Sequence, residues 1–311
     1  MLMNVRYATY NPNHLYRPDQ GRDEEMRFDL AEQVINEIEP DVLAIQELHA
    51  TTQEEAVTSI HRLAEATGLR CTIDNSPTQT TTVIKGHRSQ LATGLLWRHG
   101  IEPVVNSWRV IQPDKFWHAL SMLTLDVGGV QVDHACYHGP PIARRPDLGV
   151  VLRERISEAK LIASTMADPG QNSFTAIGAD WNTLSADKLG DDYYDYLTLP
   201  AGLDPEVAQL AQNRMAGAVL LDSGLVDVAP ALPGASITTR QLTTGHQKGS
   251  KYGGRRIDLF RVKPKMLSAI RAYGVVMSKA AIQASDHLPV VLEYETNALH
   301  ALKSYYDMGT F

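Results

Sequence analysis

Three short stretches of this chain bring together residue types that could do chemistry. Ser285-Asp286-His287 precedes the apolar run that begins at Leu288, Ile177-Gly178-Ala179 leads into Asp180-Trp181-Asn182, and Arg255-Arg256-Ile257 leads into Asp258. Each stretch follows or opens an apolar, strand-like run, so carboxylates, an amide and an imidazole would gather where strands end. That set suits metal-assisted hydrolysis, which needs carboxylates to hold a cation, a group to handle the proton of water, and donors for an anionic oxygen. Asp180 and Asn182 are two residues apart, and on an extended segment they face the same side.

The elements that must hold these residues can be read from periodicity. Met26, Leu30, Val34, Ile35 and Ile38 recur at helical spacing up to Pro40, and Val42 to Ile45 forms a buried strand ending at Gln46-Glu47. Ala56, Ile60, Leu63 and Ala64 mark a second helix closed by Gly68. Residues 70 to 136 are β-rich, with strands expected at 71–73, 94–97, 107–111, 119–127 and 130–136, and Gly128-Gly129 turning the last hairpin. A helix is expected over 150–167, a strand over 174–177 that delivers Asp180, and a helix opened by Asp204-Pro205. Residues 185–202 read as an acidic, tyrosine-bearing excursion, and strands at 256–262, 269–277 and 288–295 close the chain before a tail from about 297 to 311. No repeat or linker interrupts this order, so a single domain over 1–311 is expected, built of packed sheets flanked by helices.

Composition bounds the function. With 311 residues and 43% hydrophobic content the chain can bury a full core, and no apolar run approaches the ~20 residues a bilayer span needs. No basic, apolar leader precedes Val5, which points to a cytoplasmic protein, and the two cysteines, Cys71 and Cys136, read as reduced, packed thiols. The net charge of −7 argues against a processive nucleic-acid binder, although carboxylates committed to a metal inflate that count. One local basic patch stands out: Lys248, Lys251, Arg255 and Arg256 on a glycine-rich loop before Asp258 could hold phosphates.

In order along the chain, Asn11, Gln46-Glu47, His134, Asp180-Trp181-Asn182, Arg256-Ile257-Asp258 and Ser285-Asp286-His287 resemble the endonuclease/exonuclease/phosphatase superfamily with the deoxyribonuclease I-like fold. The resemblance spans nearly the whole chain, and Leu221 to Asp227 is similar to the helix end that follows the family's Asp-x-Asn motif. It implies an α/β (α+β) four-layer sandwich: two packed, mainly antiparallel sheets flanked by helices. It also implies a metal-dependent phosphodiester hydrolase, most simply a DNA nuclease, with a phosphatase or phosphodiesterase of a small phosphorylated metabolite or nucleotide as the alternative. In that frame Glu47 holds the metal with Asn11 and Asp286, and the all-oxygen set suits Mg²⁺ or Mn²⁺. Asp180 orients or deprotonates the attacking water, Asn182 donates to the scissile phosphate, and His287 pairs with Asp258. Asn11, Asn182, Lys248, Lys251 and Arg255 would contact substrate phosphates.

The second imidazole implied by the resemblance is His134. On spacing alone the choice stays open, because His134, Cys136 and His138 alternate along one strand face and His118 stands where relatives often carry an arginine. Thr93 to Trp97 offers no match to the glutamate that partners the second histidine in deoxyribonuclease I-like members. DNA or another phosphodiester is the expected partner, with no membrane and no obligate protein partner.

Overall fold

A computed structural model describes residues 4–16, 23–73, 81, 90–142, 147–168, 172–194, 197–236, 242–247 and 250–307. The first strand, β1 (Asn4–Tyr10), is buried on both faces: Val5 and Tyr7 enter one core cluster, Ala8 and Tyr10 another. A strand covered on both sides belongs in the middle of a layered fold. Helix α1 (Glu24–Ile38) starts where the Asp23 side chain accepts from the backbone of Glu25 and Met26, and it buries Phe28, Ala31, Val34, Ile35 and Ile38. After β2 (Val42–His49), Thr52 and Glu55 form a capping box that opens α2 (Gln53–Thr67), and Gly68 closes it in the left-handed region. The short β3 (Leu69–Arg70) and the long β4 (Leu91–Arg98) complete this first half.

The middle of the chain holds β5 (Glu102–Pro103), β6 (Arg109–Val110), β7 (Ala119–Asp126) and β8 (Gln131–His138), the last two joined through Gly128-Gly129. Helix α3 (Leu148–Ala167) leads into β9 (Thr175–Asp180), followed by a hairpin of β10 (Lys188–Leu189) and β11 (Asp192–Tyr193). Then come α4 (Pro205–Ala211), α5 (Met215–Asp222), β12 (Val226–Asp227), α6 (Val228–Ala231), β13 (Asp258–Val262), β14 (Ile270–Val275), α7 (Lys279–Ala284), β15 (Val290–Glu295) and α8 (Thr296–Asp307).

Two mixed sheets result, ordered β14-β15-β1-β2-β4-β3 and β12-β13-β9-β8-β7-β5, with β6 also on β7. Every pairing in them is antiparallel except β1 with β2 and β8 with β9. Tyr7, Trp97, Val132, Phe260 and Leu292 pack between the sheets, and the Tyr7 hydroxyl crosses to donate to the Ala135 carbonyl at 2.7 Å. At Gly178 a Cβ would stand 2.7 Å from the ring of Phe260, its partner on β13, and 2.9 Å from Thr9 Cβ on the opposite sheet, so only glycine fits there. Helices α1, α2 and α7 cover the outer face of the first sheet, and α3 and α5 cover that of the second. This is the four-layer arrangement expected from the sequence.

Three elements differ from that expectation. The strand expected at 71–73 lies earlier, at Leu69–Arg70, and the one expected at 107–111 shrinks to Arg109–Val110. The stretch from about 297, expected as a tail, is helix α8, anchored by the fully buried Leu299 in the inter-sheet core.

Candidate active site

The parallel pairs β1/β2 and β8/β9 end at one edge of the sandwich, and the strands antiparallel to them begin there. β1 passes into Asn11, β8 ends on His138, β9 ends on Asp180, and β13 starts at Asp258 directly opposite Asp180. Asp286 and His287 lie just before β15.

Glu47 reaches this edge through a bulge. Ile45 pairs with Gly94 and Leu48 with Ala92, so Gln46 and Glu47 share a single opposing residue, Thr93. Gln46 stays between the sheets, donating to Thr9 Oγ1 at 3.0 Å and lying 3.2 Å from Cys136 Sγ. The extra residue frees Glu47 from strand alternation and returns Leu48 to the helix-side core. Glu47 takes a left-handed φ of 54° to do so, a strain of about 1–3 kcal/mol that the surrounding contacts must hold.

Those contacts converge. Asn11 Nδ2 donates to Glu47 Oε1 at 3.1 Å and to Asp180 Oδ2 at 3.0 Å, and the His14 backbone donates to Glu47 Oε2 at 3.0 Å. Ser285 Oγ donates to the Asn11 carbonyl at 2.7 Å and accepts from the His287 backbone at 3.0 Å, tying the end of β1 to the histidine. His287 Nδ1 lies 3.0 Å from each oxygen of Asp258 and 3.7 Å from Asp180 Oδ2. Thr243 Oγ1 accepts from the backbone of Ile257 and of Asp258, both at 3.1 Å, which fixes where β13 begins. Asn182, at φ 50°, donates from its backbone to Asp180 Oδ1 at 2.9 Å and from Nδ2 to the Gly139 carbonyl and Asp180 Oδ2, both at 3.2 Å. Around them opens a cleft of about 270 Å³ lined by His14, Glu47, Leu91, His118, Ile142, Asp180, Asn182, Tyr252, Arg255, Asp286 and His287, among others.

Charge in the site is polarised. Burial would push Glu47 up, but the imidazoles of His14, His138 and His287 and the Asn11 amide outweigh it and hold the carboxyl below its usual range. Burial works against the His287 cation, yet Asp258 and Asp180 raise its pKa well above the usual value. Asp258 itself is raised to about 6, by burial first and by Asp180 in addition, against the pull of His287. Near neutral pH the pair is therefore an imidazolium facing a carboxylate.

Glu47, His138 and Asp180 each offer a ligand atom within 4.8 Å of the others, and Asp180, Asp258 and His287 form a second such group. His138 is only 1% exposed, and among the described residues neither of its ring nitrogens has a hydrogen-bond partner; Nε2 stands 3.5 Å from Glu47 and 3.6 Å from Asp180. Two converging carboxylates beside an orphaned buried imidazole fit a cation. Asp286 lines the cleft but belongs to neither ligand group.

His134 is not brought to this cluster. It lies fully buried between the sheets, with Nδ1 3.2 Å from the Val132 carbonyl, Nε2 2.9 Å from the Tyr294 hydroxyl, and the Tyr7 ring edge-on at 4.9 Å. Burial pushes its pKa down to about 3, so it stays neutral. His134 and His138 share a strand face, but His134 sits four residues before the strand end. Of the alternatives to His134, His118 lines the cleft, and His138, beside Glu47 and Asp180, stacks on it at 3.9 Å with rings 4° from parallel.

The basic loop also divides. Arg255 is buried and lines the cleft. Arg256 turns away to pair with both oxygens of Asp227, at 3.2 and 2.5 Å. Lys251 is exposed, its ammonium 5.1 Å from the Tyr252 ring, and Lys248 lies outside the described residues. Sequence reasoning passed over His14, Thr243 and Tyr252. The position of Asn11 after β1 could have flagged His14, whereas nothing local marks Thr243 or Tyr252.

No family model matches this sequence, and no curated protein does. Solved structures do match. An endonuclease/exonuclease/phosphatase family protein from Bacteroides thetaiotaomicron aligns over 95% of this chain and 98% of its own, at 14% identity and a TM-score of 0.61. A humanized TDP2 from D. rerio aligns over 94% and 98%, at 12% identity and a TM-score of 0.58. The 3′ phosphatase NExo from Neisseria, bound to a product DNA hairpin, aligns over 93% and 99%, at 19% identity and a TM-score of 0.56. The chain has the endonuclease/exonuclease/phosphatase fold. That fold accounts for both sheets and for the single edge at which Asn11, Glu47, Asp180, Asp258 and His287 meet.

Proposed function

We propose that this protein is a divalent-metal-dependent phosphodiester hydrolase with DNA as its leading substrate. The observation that carries the reading is the meeting of Glu47, His138 and Asp180 around a common point, beside the His287–Asp258 pair. Glu47 and Asp180, with Asn11 bonded to both and Asp286 on the same cleft, would hold Mg²⁺ or Mn²⁺, since oxygen donors suit hard cations. When bound, such an ion supplies positive charge to a phosphoryl oxygen and acidifies water.

The chain's own residues supply the rest. Asp180, held by Asn11 and by the Asn182 backbone, receives the proton of the attacking water. The Asn182 side-chain amide, at the cleft wall, would donate to a non-bridging oxygen in place of one of its two acceptors, Asp180 Oδ2 and the Gly139 carbonyl. His287 gives Nδ1 to Asp258, which leaves Nε2 as a charged donor toward the oxygens where negative charge develops. His138, kept neutral because burial lowers its pKa, would offer Nε2 to the same cation beside the two carboxylates.

DNA leads because a structure of the same fold, the Neisseria 3′ phosphatase, holds a product DNA hairpin. A small phosphorylated metabolite is the second reading, favoured by the net charge of −7 and by the loss of Arg256 from the basic loop to Asp227. Two free, buried cysteines accord with a cytoplasmic setting, and no helix among the described residues is long and apolar enough to cross a membrane. Hydrolysis of plasmid DNA and of a phosphoester panel across a salt series tests the reading. Activity falling steeply with log salt supports a polymer held at several phosphates, a shallow dependence supports a small substrate, and no hydrolysis of any phosphoester rejects both.

A further inference from the structure

Helix α1 inverts its expected faces at its start. Met26, which opens the apolar stripe of the sequence, is 58% exposed, while the neighbouring Arg27 is only 8% exposed, on the side of the helix that buries Phe28 and Ala31. The inversion is costly, because a guanidinium gives up its hydration and a cation in the first turn of a helix meets the positive end of the dipole. The bonds of Arg27 show where it is directed. Nη1 donates to the His14 carbonyl at 3.1 Å, and Nη2 donates to the Pro12 carbonyl at 3.2 Å and to that of Asn13. One planar fork thus takes three consecutive carbonyls of the segment that follows β1.

That segment is strained. Asn13, His14 and Tyr16 hold positive φ, at 56°, 57° and 70°, a conformation that persists only where the surroundings over-determine it. Its far end is fixed independently of Arg27: the Leu15 carbonyl accepts from the His49 backbone at 2.8 Å, and the Tyr16 hydroxyl donates to the Ser59 carbonyl at 3.0 Å. With the carbonyls of residues 12–14 turned to Arg27, the amides of the same segment face the site. Asn13 N–H donates to Asn11 Oδ1 at 2.9 Å, which orients the Asn11 amide so that Nδ2 bridges Glu47 and Asp180. His14 N–H donates to Glu47 Oε2 at 3.0 Å, which leaves Oε1 toward His138 and Asn11. Asn13 and His14 line the cleft, and Arg27 stands behind them.

We propose that Arg27 is a positioning residue for the cation site: its guanidinium holds the carbonyls of residues 12–14 so that two amides of the same segment aim Asn11 and Glu47. This rests on the hydrolase reading, in which those two residues face the cation. Arg27 touches neither cation nor substrate and acts only through the segment. Without it, Asn13 and His14 are free to relax from positive φ, and their amides turn away from Asn11 and Glu47.

The test compares metal-stripped wild type, Arg27→Met, Arg27→Lys and, as a control at the far end of the segment, Tyr16→Phe. Mn²⁺ alone is titrated by calorimetry, exchange of the Asn13 and His14 amides is followed by NMR, and melting curves report folding. Arg27→Met should bind Mn²⁺ at least about 10-fold more weakly and exchange both amides at least about 10-fold faster, with Arg27→Lys between it and wild type because an ammonium is no planar fork. In hydrolysis of a chromogenic phosphodiester, the Mn²⁺ concentration for half-maximal rate should rise by the same factor while KM for the ester stays within about 2-fold, since Asn182 and His287 are untouched. Tyr16→Phe should keep wild-type Mn²⁺ affinity and exchange at both amides. Wild-type affinity and exchange in Arg27→Met, or equal losses in Arg27→Met and Tyr16→Phe, would overturn the proposal. If wild type neither binds Mn²⁺ nor cleaves a phosphoester the hydrolase reading fails, and amide exchange decides the role of Arg27: equal exchange in wild type and Arg27→Met rejects it. Should Arg27→Met not fold, Arg27→Lys carries the same comparisons, and wild-type values in it reject the guanidinium as the holder of the segment.

Discussion

His287 Nδ1 lies 3.0 Å from both carboxylate oxygens of Asp258, on a side chain only 13% exposed. Asp258→Asn removes the charge that keeps His287 protonated while leaving the shape nearly unchanged. Turnover should fall at least about 100-fold, the scale of a lost positioned charge, and the His287 imidazole should titrate at lower pH by NMR. A variant with wild-type turnover would remove the pair from the mechanism.

The same pair sets an acid limb. Asp258 titrates at about 6, raised by burial, so protonation of its carboxyl as pH falls through that value abolishes the charge facing His287. Log kcat/KM should therefore be flat above the limb and decline below about pH 6, and Asp258→Asn should lack that bend. A wild-type profile flat down to pH 4 contradicts the assignment.

His134 gives a prediction of the opposite kind. Its pKa is about 3 in the folded protein, against about 6.5 when unfolded, so below 6.5 the unfolded chain takes up a proton that the folded chain refuses. Stability from this residue is complete above about 6.5 and is lost as pH falls toward 3, by up to about 1.4 kcal/mol per pH unit. His134→Gln should keep wild-type turnover at neutral pH and flatten the denaturant-measured acid loss by about one proton. Loss of turnover without loss of fold would return His134 to the site.

Arg256 and Asp227 are both essentially buried, and the salt bridge holds the Asp227 carboxyl below its usual range despite burial. Asp227→Ala removes the carboxylate that neutralises a buried guanidinium and should cost about 3–5 kcal/mol by denaturant titration, while Lys251→Ala, on an exposed residue, should stay within about 0.5 kcal/mol. Equal effects would undo the division of the basic loop into a structural and a solvent-facing part.

What the sequence made legible follows a physical pattern. Asn11, Asp180, Asp258 and His287 sit where apolar runs stop or start, and a strand end is visible in one dimension. The same rule favours His138, the last residue of its strand before Gly139-Pro140, over His134; matching the family motif by approximate separation hid that distinction. Glu47 was legible by type, but the bulge that aims it depends on the pairing of β2 with β4, some 50 residues away in sequence terms, which local periodicity does not encode. Arg256 looked like a loop cation because its partner, Asp227, lies 29 residues earlier and meets it only through the pairing of β12 with β13. Helix α8 reads as a tail in the sequence because, among its described residues, Leu299 is the one fully buried hydrophobic side chain, and one residue makes no period.

The central claim is that Glu47 and Asp180 serve a metal-dependent phosphoester hydrolase, and chelation tests it most directly. Protein stripped with EDTA should turn over neither DNA nor any phosphoester and should recover on addition of Mg²⁺ or Mn²⁺. Asp180→Asn and Glu47→Gln, at unchanged melting temperature, should remain at least about 100-fold slower. Full activity in chelator, or wild-type rates in both variants, would contradict the account.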